Sequence, residues 1–437
     1  MNKITFNPSN NNLEEFNLTY ENVNNLVSEV EGKFKEIADK RVKDVSIRME
    51  KVLKAFSDEK LGPHHFNSVN GYGHGDIGRE LIDKVFSRIL GAETAAVRMQ
   101  FVSGTHAISS ALFGVLRPGE NLLSITGRPY DTLEEVIGLR GKGKGSLLEF
   151  GITYDEISVF KDDIIDFTQL EEALKFPRRM VFIQRSCGYS WKQSLSIDNI
   201  KDICQFVHNK QPDAVCFVDN CYGELVEEKE PNEVGADLIA GSLIKNLGGT
   251  IVPTGGYVAG RFDLVEQACF RLTAPGIGID AGTGFNLNRL VLQGLFLSPQ
   301  MVAESLIGSD IIAGVFYELG FKVLPLPGAF RGDLIQAICF GNPEALKVVC
   351  QSFQRSSPVS SYVNPLPAGM PGYEDDLIMA GGTFIDGSTS ELSADAPLRP
   401  PYNLYVQGGT HRAHVKIALT NAIIALVQAG LVELPIV

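Results

Sequence analysis

The sequence lacks an excess of positive charge and lacks paired cysteines. Its 39 lysine and arginine residues are outnumbered by 52 aspartate and glutamate residues, which gives a formal net charge of −13 over 437 residues. A chain this acidic does not supply the cationic surface that phosphates require, so we expect no nucleic-acid partner. The seven cysteines are scattered and form no C-x-x-C pair, which favours reduced, mostly buried thiols in a cytoplasmic protein over a disulfide framework.

A long uninterrupted apolar segment is also missing. The first residues, MNKITFNPSNNNLEEF, contain no apolar core of a signal peptide. The most apolar long stretch, 415–437, is interrupted by Lys416, Asn421, Gln428 and Glu433. It therefore predicts a packed C-terminal helix and no membrane span. Hydrophobic residues make up 44% of the chain and charged residues 21%, a composition typical of folded globular proteins and not of disordered ones.

Short apolar runs alternate with helical patterns through the middle of the chain. The run at 214–218 is continuously apolar, 180–184 is also strand-like, and a segment of helical spacing at 198–209 lies between them. Strands buried on both faces and separated by helices indicate a parallel sheet in an α/β layer. The predicted organisation comprises an N-terminal helical segment, a large domain and a smaller α+β C-terminal domain, with the boundaries 1–60, 61–298 and 299–437.

The segment from Asp219 to Lys245 carries the clearest chemical signal. Asp219 ends the apolar run AVCFVD, and α/β folds bind ligands at the carboxyl ends of parallel strands. Ser242 precedes Lys245 by three positions, among apolar residues and glycines, and such surroundings are expected to lower the lysine pKa and make the amine a nucleophile. A carboxylate for a pyridine nitrogen, a hydroxyl for phosphate and a lysine for an aldehyde together suit pyridoxal phosphate. The alternative is an ordinary surface lysine in a glycine-rich loop.

The motif SGTHA at 103–107 follows a predicted strand and opens a predicted helix. Backbone N–H groups at a helix N-terminus, with the hydroxyls of Ser103 and Thr105, can bind a phosphate. Simple N-capping by one of these hydroxyls is the alternative. Tyr130 begins the helix after the next strand, where its ring could stack on a flat cofactor or only mark the helix entry.

Two further patterns are considered and rejected. The segment 73–78 matches G-x-G-x-x-G, but the polar, turn-like residues before it are not the strand that a dinucleotide site requires. Histidines in the loops around residues 64–76 and 411–414 do not have the spacing of a closed ligand set, so we expect no metal.

A resemblance to a known family rests on the order of five motifs, namely SGTHA (103–107), Tyr130, QRSCGY (184–189), VDNCYGE (218–224) and SLIKN (242–246). The sequence resembles the fold-type I pyridoxal-phosphate enzymes of the cysteine and methionine metabolism group. Within that group it is similar to the aluminium-resistance or methionine γ-lyase-like branch. Two further motifs of the sequence, GYGHGDIGR (71–79) and YVQGGTHRAHVKIAL (405–419), also resemble that branch. The resemblance implies an aspartate-aminotransferase-like α/β fold, with a mostly parallel sheet in the large domain and a smaller α+β C-terminal domain.

The resemblance also implies roles for single residues. Lys245 is expected to carry the cofactor covalently and to move the Cα proton, and Asp219 to keep the pyridine nitrogen protonated. The other implied contacts are Ser103, Gly104, Thr105 and Ser242 for the phosphate, Tyr130 for ring stacking and leaving-group protonation, and Gln184 or Ser186 for the phenolic oxygen.

Three implied roles involve a neighbouring subunit or the substrate. Tyr72 and Arg79 are candidates to reach the phosphate of a neighbouring subunit, although the spacing departs from the Tyr-x-Arg pattern of the group. Arg399 and Arg412 are candidates for the substrate carboxylate, and Arg399 is favoured. These roles imply a homo-oligomer, a dimer or a tetramer, with shared active sites.

The function implied by the resemblance is a pyridoxal-phosphate-dependent carbon–sulfur lyase. It would act on a sulfur-containing L-amino acid by α,β- or α,γ-elimination, as cystathionine β-lyases and methionine γ-lyases do. An aminotransferase or a racemase would use the same lysine and aspartate. A cofactor-binding stress-response protein with little turnover is the alternative from another class.

Overall fold

Helices and strands alternate over most of the chain in the computed structural model, which describes residues 3–4, 13–161, 164–370 and 372–435. The rest of the predicted N-terminal segment, residues 1–2 and 5–12, lies outside the described residues. The helices are α1 Leu13–Lys33, α2 Lys35–Asp58, α3 Ile77–Leu90, α4 Gly104–Val115, α5 Asp131–Ile137, α6 Thr168–Ala173, α7 Ile197–Lys210, α8 Phe262–Leu272, α9 Asn288–Glu318, α10 Pro343–Arg355 and α11 Arg412–Gln428.

The strands form a long sheet, a shorter sheet and two short pairings of two residues each. They are β1 Lys3–Ile4, β2 Thr94–Arg98, β3 Asn121–Ser124, β4 Thr153–Glu156, β5 Phe160–Lys161, β6 Ile164–Ile165, β7 Met180–Gln184, β8 Val215–Asp219, β9 Leu238–Ser242, β10 Gly256–Gly260, β11 Lys322–Leu324, β12 Gln336–Cys339, β13 Leu377–Ala380, β14 Ser393–Pro397, β15 Asn403–Gln407 and β16 Leu434–Pro435.

The chain divides into two compact units. The central unit is residues 47–299, and the terminal unit is residues 1–46 together with 300–437. The N-terminal segment predicted at 1–60 is therefore split at Ser46, and its first part belongs to the terminal unit.

The central unit is built around a sheet of mostly parallel strands. Its order is β2-β10-β9-β8-β7-β3-β4, and the five strands from β9 to β4 are parallel. Strand β10 is antiparallel to both of its neighbours. Every residue of β7, β8, β9 and β10 is buried, as expected for strands covered on both faces. The predicted α/β class with a mostly parallel sheet is confirmed.

The terminal unit contains an antiparallel sheet in the order β11-β12-β15-β14-β13. Helices α10 and α11 contribute buried apolar residues to the same core as this sheet. In α11 the side chains of Val415, Leu419 and Ile423 are almost wholly buried, so the predicted packed C-terminal helix is confirmed.

Helix α9 begins earlier than its sequence pattern indicates. The predicted amphipathic helix starts after Pro299, whereas the observed helix continues through this proline from Asn288. A proline inside a helix removes one backbone hydrogen bond and crowds the preceding turn, so the local pattern indicates a boundary there, which tertiary context overrides in this chain. By length and composition α9 could cross a membrane, but 67% of its most apolar window is buried inside the protein, as in the core helix of a globular fold.

Candidate active site

The carboxyl ends of three adjacent parallel strands bring the predicted site residues together. Gln184 ends β7, Asp219 ends β8 and Ser242 ends β9. Gln184 lies opposite Asp219 in the register of β7 and β8. Lys245 follows three residues after the end of β9. Because parallel strands end at the same edge of a sheet, separate motifs of the sequence form one site there.

Asp219 is a buried carboxyl group, with 4% of its surface exposed. Its Oδ1 accepts the backbone N–H of Cys221 at 3.1 Å. Loss of hydration raises the pKa of Asp219 to about 6, although the hydrogen bonding of Cys221 and the charges of Lys245 and Lys192 act in the opposite direction. A protonated pyridine nitrogen would supply the positive charge that favours the ionised form, so this carboxyl group fits pyridoxal phosphate.

Lys245 lies against the ring of Tyr222, with 3.8 Å between its Nζ and the ring centroid. Burial disfavours the ammonium, but the negative charges that Tyr222 and Cys221 can carry and a hydrogen bond with Tyr222 outweigh this effect and raise the lysine pKa. The prediction of a lowered pKa was therefore wrong. Its physical reason is that the loop after β8 places acidic side chains beside the lysine, while the residues next to Lys245 in sequence are apolar.

The first turn of α4 forms the end of the site suited to a phosphate. Ser103 is the N-cap, and its Oγ accepts the backbone N–H of His106 at 3.1 Å, so the capping role weighed for this residue is present. A Cβ atom on Gly104 would lie 3.1 Å from both Cys221 Sγ and Ser242 Cβ. Glycine thus keeps the start of the helix open close to the end of β9, where backbone N–H groups can bind an anion.

The hydroxyl of Tyr130 lies at this same helix start. The distance between the Tyr130 hydroxyl and Thr105 Oγ1 is 3.1 Å. Thr105 Oγ1 also lies 3.3 Å from Thr132 Oγ1. Burial, and next the charge of Asp219, raise the pKa of Tyr130 well above its usual value, so this phenol keeps its proton. The structure therefore brings the proposed stacking residue close to the start of α4 and within the electrostatic influence of Asp219.

Gln184 and Ser186 support the backbone beside Tyr130. Gln184 Oε1 accepts the N–H of Tyr130 at 3.0 Å, and its Nε2 donates to the carbonyl of Ser186 at 3.0 Å. The hydroxyl of Ser186 accepts the N–H of Gly188 at 3.3 Å. These contacts give Gln184 a positioning role for Tyr130, in addition to the role predicted for it at the phenolic oxygen.

Tyr72 and Arg79 have opposite environments within the central unit. The side chain of Tyr72 is 81% exposed and stacks on His74, with 5.7 Å between the ring centroids. Arg79 is buried, and its guanidinium donates to the carbonyls of Gly73, Gly282 and Asp280. Arg79 thus anchors the loop that carries Tyr72, which removes the reason for expecting it at a phosphate of another subunit.

The two arginines proposed for the substrate carboxylate both lie in the terminal unit. Arg412 makes a two-point contact with Glu304, with Nη2 at 2.6 Å from Oε1 and Nε at 3.1 Å from Oε2. Its carboxylate-binding edge is therefore occupied by a protein side chain. Arg399 forms an ion pair with Asp375 at 3.0 Å and its side chain is 41% exposed, so both arginines have a carboxylate partner and the role of Arg399 stays a prediction.

Several residues of the site were not predicted from the sequence. Tyr222 contacts Lys245, and Glu224 accepts a hydrogen bond from the buried hydroxyl of Tyr257 at 2.8 Å. Tyr222 and Glu224 belong to the VDNCYGE motif, but Tyr257 stands 33 positions after Glu224. The strand pattern around Tyr257 indicates only a buried core position, so its hydroxyl gave no separate signal.

One group of potential metal ligands occurs among the described residues. Donor atoms of His208, Cys216 and Asp237 lie within 4.8 Å of one another. Asp237 Oδ2 is hydrogen-bonded by His208 and by the N–H of Cys216, and its Oδ1 lies 3.6 Å from Arg261. Hydrogen bonds and an ion pair account for this arrangement.

Comparisons with known proteins identify the family of this chain. The sequence model of the methionine gamma-lyase family matches residues 19–427. The chain is 47% identical over 395 residues to the uncharacterized protein YnbB of Bacillus subtilis (strain 168), which covers 90% of this chain and 94% of that one.

Solved structures show the same fold. A proposed cystathionine beta-lyase involved in aluminum resistance from Listeria monocytogenes is 46% identical, with a TM-score of 0.88, and the match covers 91% of this chain and 98% of that one. The pyridoxal-5'-phosphate-dependent protein YhfS of Escherichia coli is 17% identical with a TM-score of 0.59, covering 88% and 96%, which bears on the fold alone. The chain belongs to the methionine gamma-lyase family and has the fold of the type I pyridoxal-phosphate enzymes.

Proposed function

We propose that this protein is a pyridoxal-phosphate-dependent carbon–sulfur lyase that acts on a sulfur-containing L-amino acid by α,β- or α,γ-elimination. The observation that carries the proposal is the convergence of Lys245, Asp219 and the first turn of α4 at one edge of the central sheet. Membership of the family supports the same reaction class.

The site offers separate contacts to each end of the cofactor. Asp219 would face the pyridine nitrogen, and the N-terminus of α4 with Thr105 and Ser242 would hold the phosphate. Pyridoxal phosphate bound there supplies an electron sink for the pair released when a Cα proton is removed. Ionised Asp219 favours this by keeping a proton on the ring nitrogen.

Lys245 would move the protons of the reaction. Its Nζ, held over Tyr222 at 3.8 Å from the ring centroid, must lose its own proton before it can remove one from Cα. In a β-elimination the thiol leaves directly afterwards. In a γ-elimination a second proton must leave Cβ first, so Lys245 acts twice. Tyr130, which keeps its proton, would protonate the leaving sulfur.

Recognition of the substrate is assigned to residues outside this cluster. Arg399 would bind the substrate carboxylate, since a guanidinium matches a carboxylate at two points. Tyr72 would reach the cofactor phosphate of a second copy of the chain, and its high exposure on an anchored loop supports this. The active form would then be a dimer or tetramer, which we place in the cytoplasm.

The proposal is tested by the visible absorption spectrum of the purified full chain supplied with pyridoxal phosphate. L-methionine, L-cystathionine and L-cysteine are added in turn, and keto acid, ammonia and thiol are measured. We expect an absorption band from the lysine-bound cofactor that changes on addition of substrate. The Lys245→Ala variant is expected to lose this band and to lose turnover by at least about a thousandfold, because it removes the group that transfers protons.

Each outcome of this experiment has a separate meaning. Thiol and ammonia formed without an added keto acid support a lyase, whereas a requirement for a keto-acid acceptor identifies an aminotransferase. Loss of optical activity of the amino acid without thiol release identifies a racemase. A stable band with no product from any amino acid supports a cofactor-binding protein with little turnover. Full turnover by Lys245→Ala would overturn the mechanism.

A further inference from the structure

A buried acid lies beside the loop that carries Lys245 and has no part in the reaction described above. Glu224 is 0% exposed and stands five residues after Asp219, at the end of the loop that also carries Tyr222. Its backbone carbonyl accepts the side-chain Nδ2 of Asn246 at 2.9 Å. Asn246 is adjacent to Lys245 in sequence, so the main chain of Glu224 helps to fix the lysine loop.

The carboxyl group of Glu224 accepts a hydrogen bond from strand β10, and the neighbouring strand β9 leaves room for the donor. Tyr257 in β10 lies opposite Gly241 in β9, and a Cβ atom on Gly241 would lie 2.6 Å from the Tyr257 hydroxyl. Glycine at 241 therefore leaves room for the phenol to cross the strand. The hydroxyl then donates to Glu224 Oε1 at 2.8 Å.

The second carboxyl oxygen is in a different position. Glu224 Oε2 is buried and has no hydrogen-bond partner among the residues that the structure describes. Burying an ionised carboxylate with an unpaired oxygen would cost several kcal/mol of folding free energy. A protonated carboxyl group carries no charge, so its unpaired oxygen costs less. The orphaned oxygen therefore points to a neutral carboxylic acid.

Two of the groups that face Glu224, the acids Glu230 and Asp219, make its ionisation still less favourable, whereas the hydroxyl of Tyr257 acts in the opposite direction. The groups that face Glu224 are Asp219 at the end of β8, Cys221 in the following loop, Glu230, Tyr257 in β10 and Lys245 after β9. All but Lys245 are acids. Loss of hydration raises the pKa of Glu224 to about 8, and the charges of Glu230 and Asp219 act in the same direction. A negative charge on Glu224 would in turn raise the pKa of Lys245.

We propose that Glu224 serves as a neutral carboxylic acid beside the loop that carries Lys245. It is a positioning residue, and its proton keeps a second negative charge away from Asp219 and Lys245. Its value to the site rests on the proposed function, because Lys245 must give up its own proton to act there. When Glu224 ionises at alkaline pH, the lysine holds its proton more strongly and becomes a poorer base. Glu224 thereby sets an upper pH limit for the reactive amine.

The test compares the wild-type full chain with Glu224→Gln, whose amide has the shape of the neutral acid but does not ionise. Infrared difference spectra between the two report whether the Glu224 carboxyl is protonated. Limited acetylation with peptide-level mass spectrometry reports the free-amine fraction of Lys245 as a function of pH. Both measurements are made on protein freed of cofactor, so they do not depend on any enzymatic activity.

We expect the two proteins to differ by less than about twofold in Lys245 acetylation below pH 7, where both carry a neutral group at 224. Above pH 9 the Glu224→Gln variant should react roughly tenfold faster, which corresponds to one unit in the lysine pKa. The infrared signal of a protonated carboxyl should be present in the wild type at pH 7 and should vanish as the pH rises through about 8.

Glu230→Gln is the matched control. Glu230 is also buried, but both of its oxygens accept hydrogen bonds, from Asn220 Nδ2 and from the N–H of Leu225. Its replacement should leave the divergence above pH 9 unchanged. A carboxylate signal for Glu224 at pH 7, or equal Lys245 profiles at all pH values, would overturn the proposal.

If Glu224→Gln does not fold, Tyr257→Phe provides the second route. This variant keeps the acid and removes the hydroxyl that stabilises its ionised form. The infrared transition should then move to higher pH, and an unmoved or lowered transition would contradict the proposal. Protein that never binds pyridoxal phosphate but shows these transitions would refute the proposed function and leave the role of the Glu224 proton standing.

Discussion

At the scale of single residues, burial decides which groups of the site are charged. Asp219 and Glu224 are both acids with almost no exposure, and loss of hydration raises their pKa values to about 6 and about 8. Lys245 is surrounded by acidic partners, which raise its pKa despite burial. A protonated ring nitrogen would pair with ionised Asp219, and an aldehyde would react with the amine of Lys245. The cofactor-free site therefore has the charges that a bound pyridoxal phosphate would stabilise.

These shifts predict how stability depends on pH. An acid whose pKa is raised on folding, from usual values of 3.8 and 4.5, contributes its full stability below the unfolded value and loses it as pH rises through the folded value. We expect the free energy of unfolding of the cofactor-free protein to fall by on the order of a few kcal/mol between pH 5 and pH 9. Urea unfolding at a series of pH values measures this fall.

Two substitutions separate the contributions of the two acids. Asp219→Asn should reduce the fall in stability between its usual value of 3.8 and about pH 6, and Glu224→Gln should reduce it between 4.5 and about pH 8, since neither amide titrates. A fall of the same size in all three proteins would show that these carboxyl groups are not the source of the pH dependence.

At the scale of elements, the site depends on how closely α4 approaches the ends of β8 and β9. Gly104 permits this approach, because a side chain there would crowd Cys221 and Ser242. The same residue weakens the helix slightly, since glycine is a poor helix former. The close approach matters for a phosphate, which needs the free N–H groups of the first turn.

Gly104→Ala is therefore expected to weaken binding of pyridoxal phosphate by about tenfold, because the methyl group narrows the phosphate end of the site. Equilibrium titration of the cofactor-free chain measures the change. Gly32→Ala in α1 is the control, since nothing lies within 4 Å of a Cβ atom at that position. It should leave the affinity unchanged. Equal affinities of wild type and Gly104→Ala would show that the phosphate does not bind at this helix start.

At the scale of the whole molecule, the proposed second copy of the chain concerns the exposed aromatic residue in the loop before α3. Tyr72 is held by an anchored loop and yet has few contacts of its own beyond the ring of His74. An aromatic side chain presented in this way is typical of a contact surface. A shared active site would explain why the loop is fixed while its tyrosine is exposed.

Shared sites are tested by mixing two inactive variants. Lys245→Ala and Tyr72→Ala are produced together in one cell and purified as mixed oligomers by two different affinity tags. One site of each mixed pair then combines an intact Lys245 with an intact Tyr72 from the partner. We expect each variant alone to be strongly impaired. Before selection by the tags, the co-produced mixture should recover about a quarter of wild-type turnover, because random pairing makes half of the dimers mixed and each mixed dimer has one intact site of two. No recovery in the tagged hybrids would argue against shared sites.

Local sequence signals account for much of the fold and for the centre of the site. Continuous apolar runs predicted β7 and β8 to within one residue of their observed bounds. The same rule placed Asp219 at a strand end, because a run buried on both faces stops where the chain meets solvent or a ligand. The family motifs then placed Lys245, Thr105, Gln184 and Ser242 in one site.

Other features depend on contacts between residues distant in sequence, and only the tertiary structure decided them. Local pattern predicted a lowered pKa for Lys245, but the loop of Tyr222 brings acids to it from more than twenty positions away. The motif around Arg79 makes it a candidate to bind the cofactor phosphate of another subunit, but its guanidinium donates to the carbonyls of Gly282 and Asp280 within its own chain.

The sequence by itself determined the α/β class, the strand ends and the residue types available for chemistry, because alternation of apolar and polar residues is a local property of the chain. The tertiary structure decided which of those residues are charged. Glu224 shows the difference most clearly, because its protonation follows from the burial of its carboxyl group and from the acids that other elements bring close to it. Electrostatic energies depend on distance and burial in space, and spacing along the chain specifies neither.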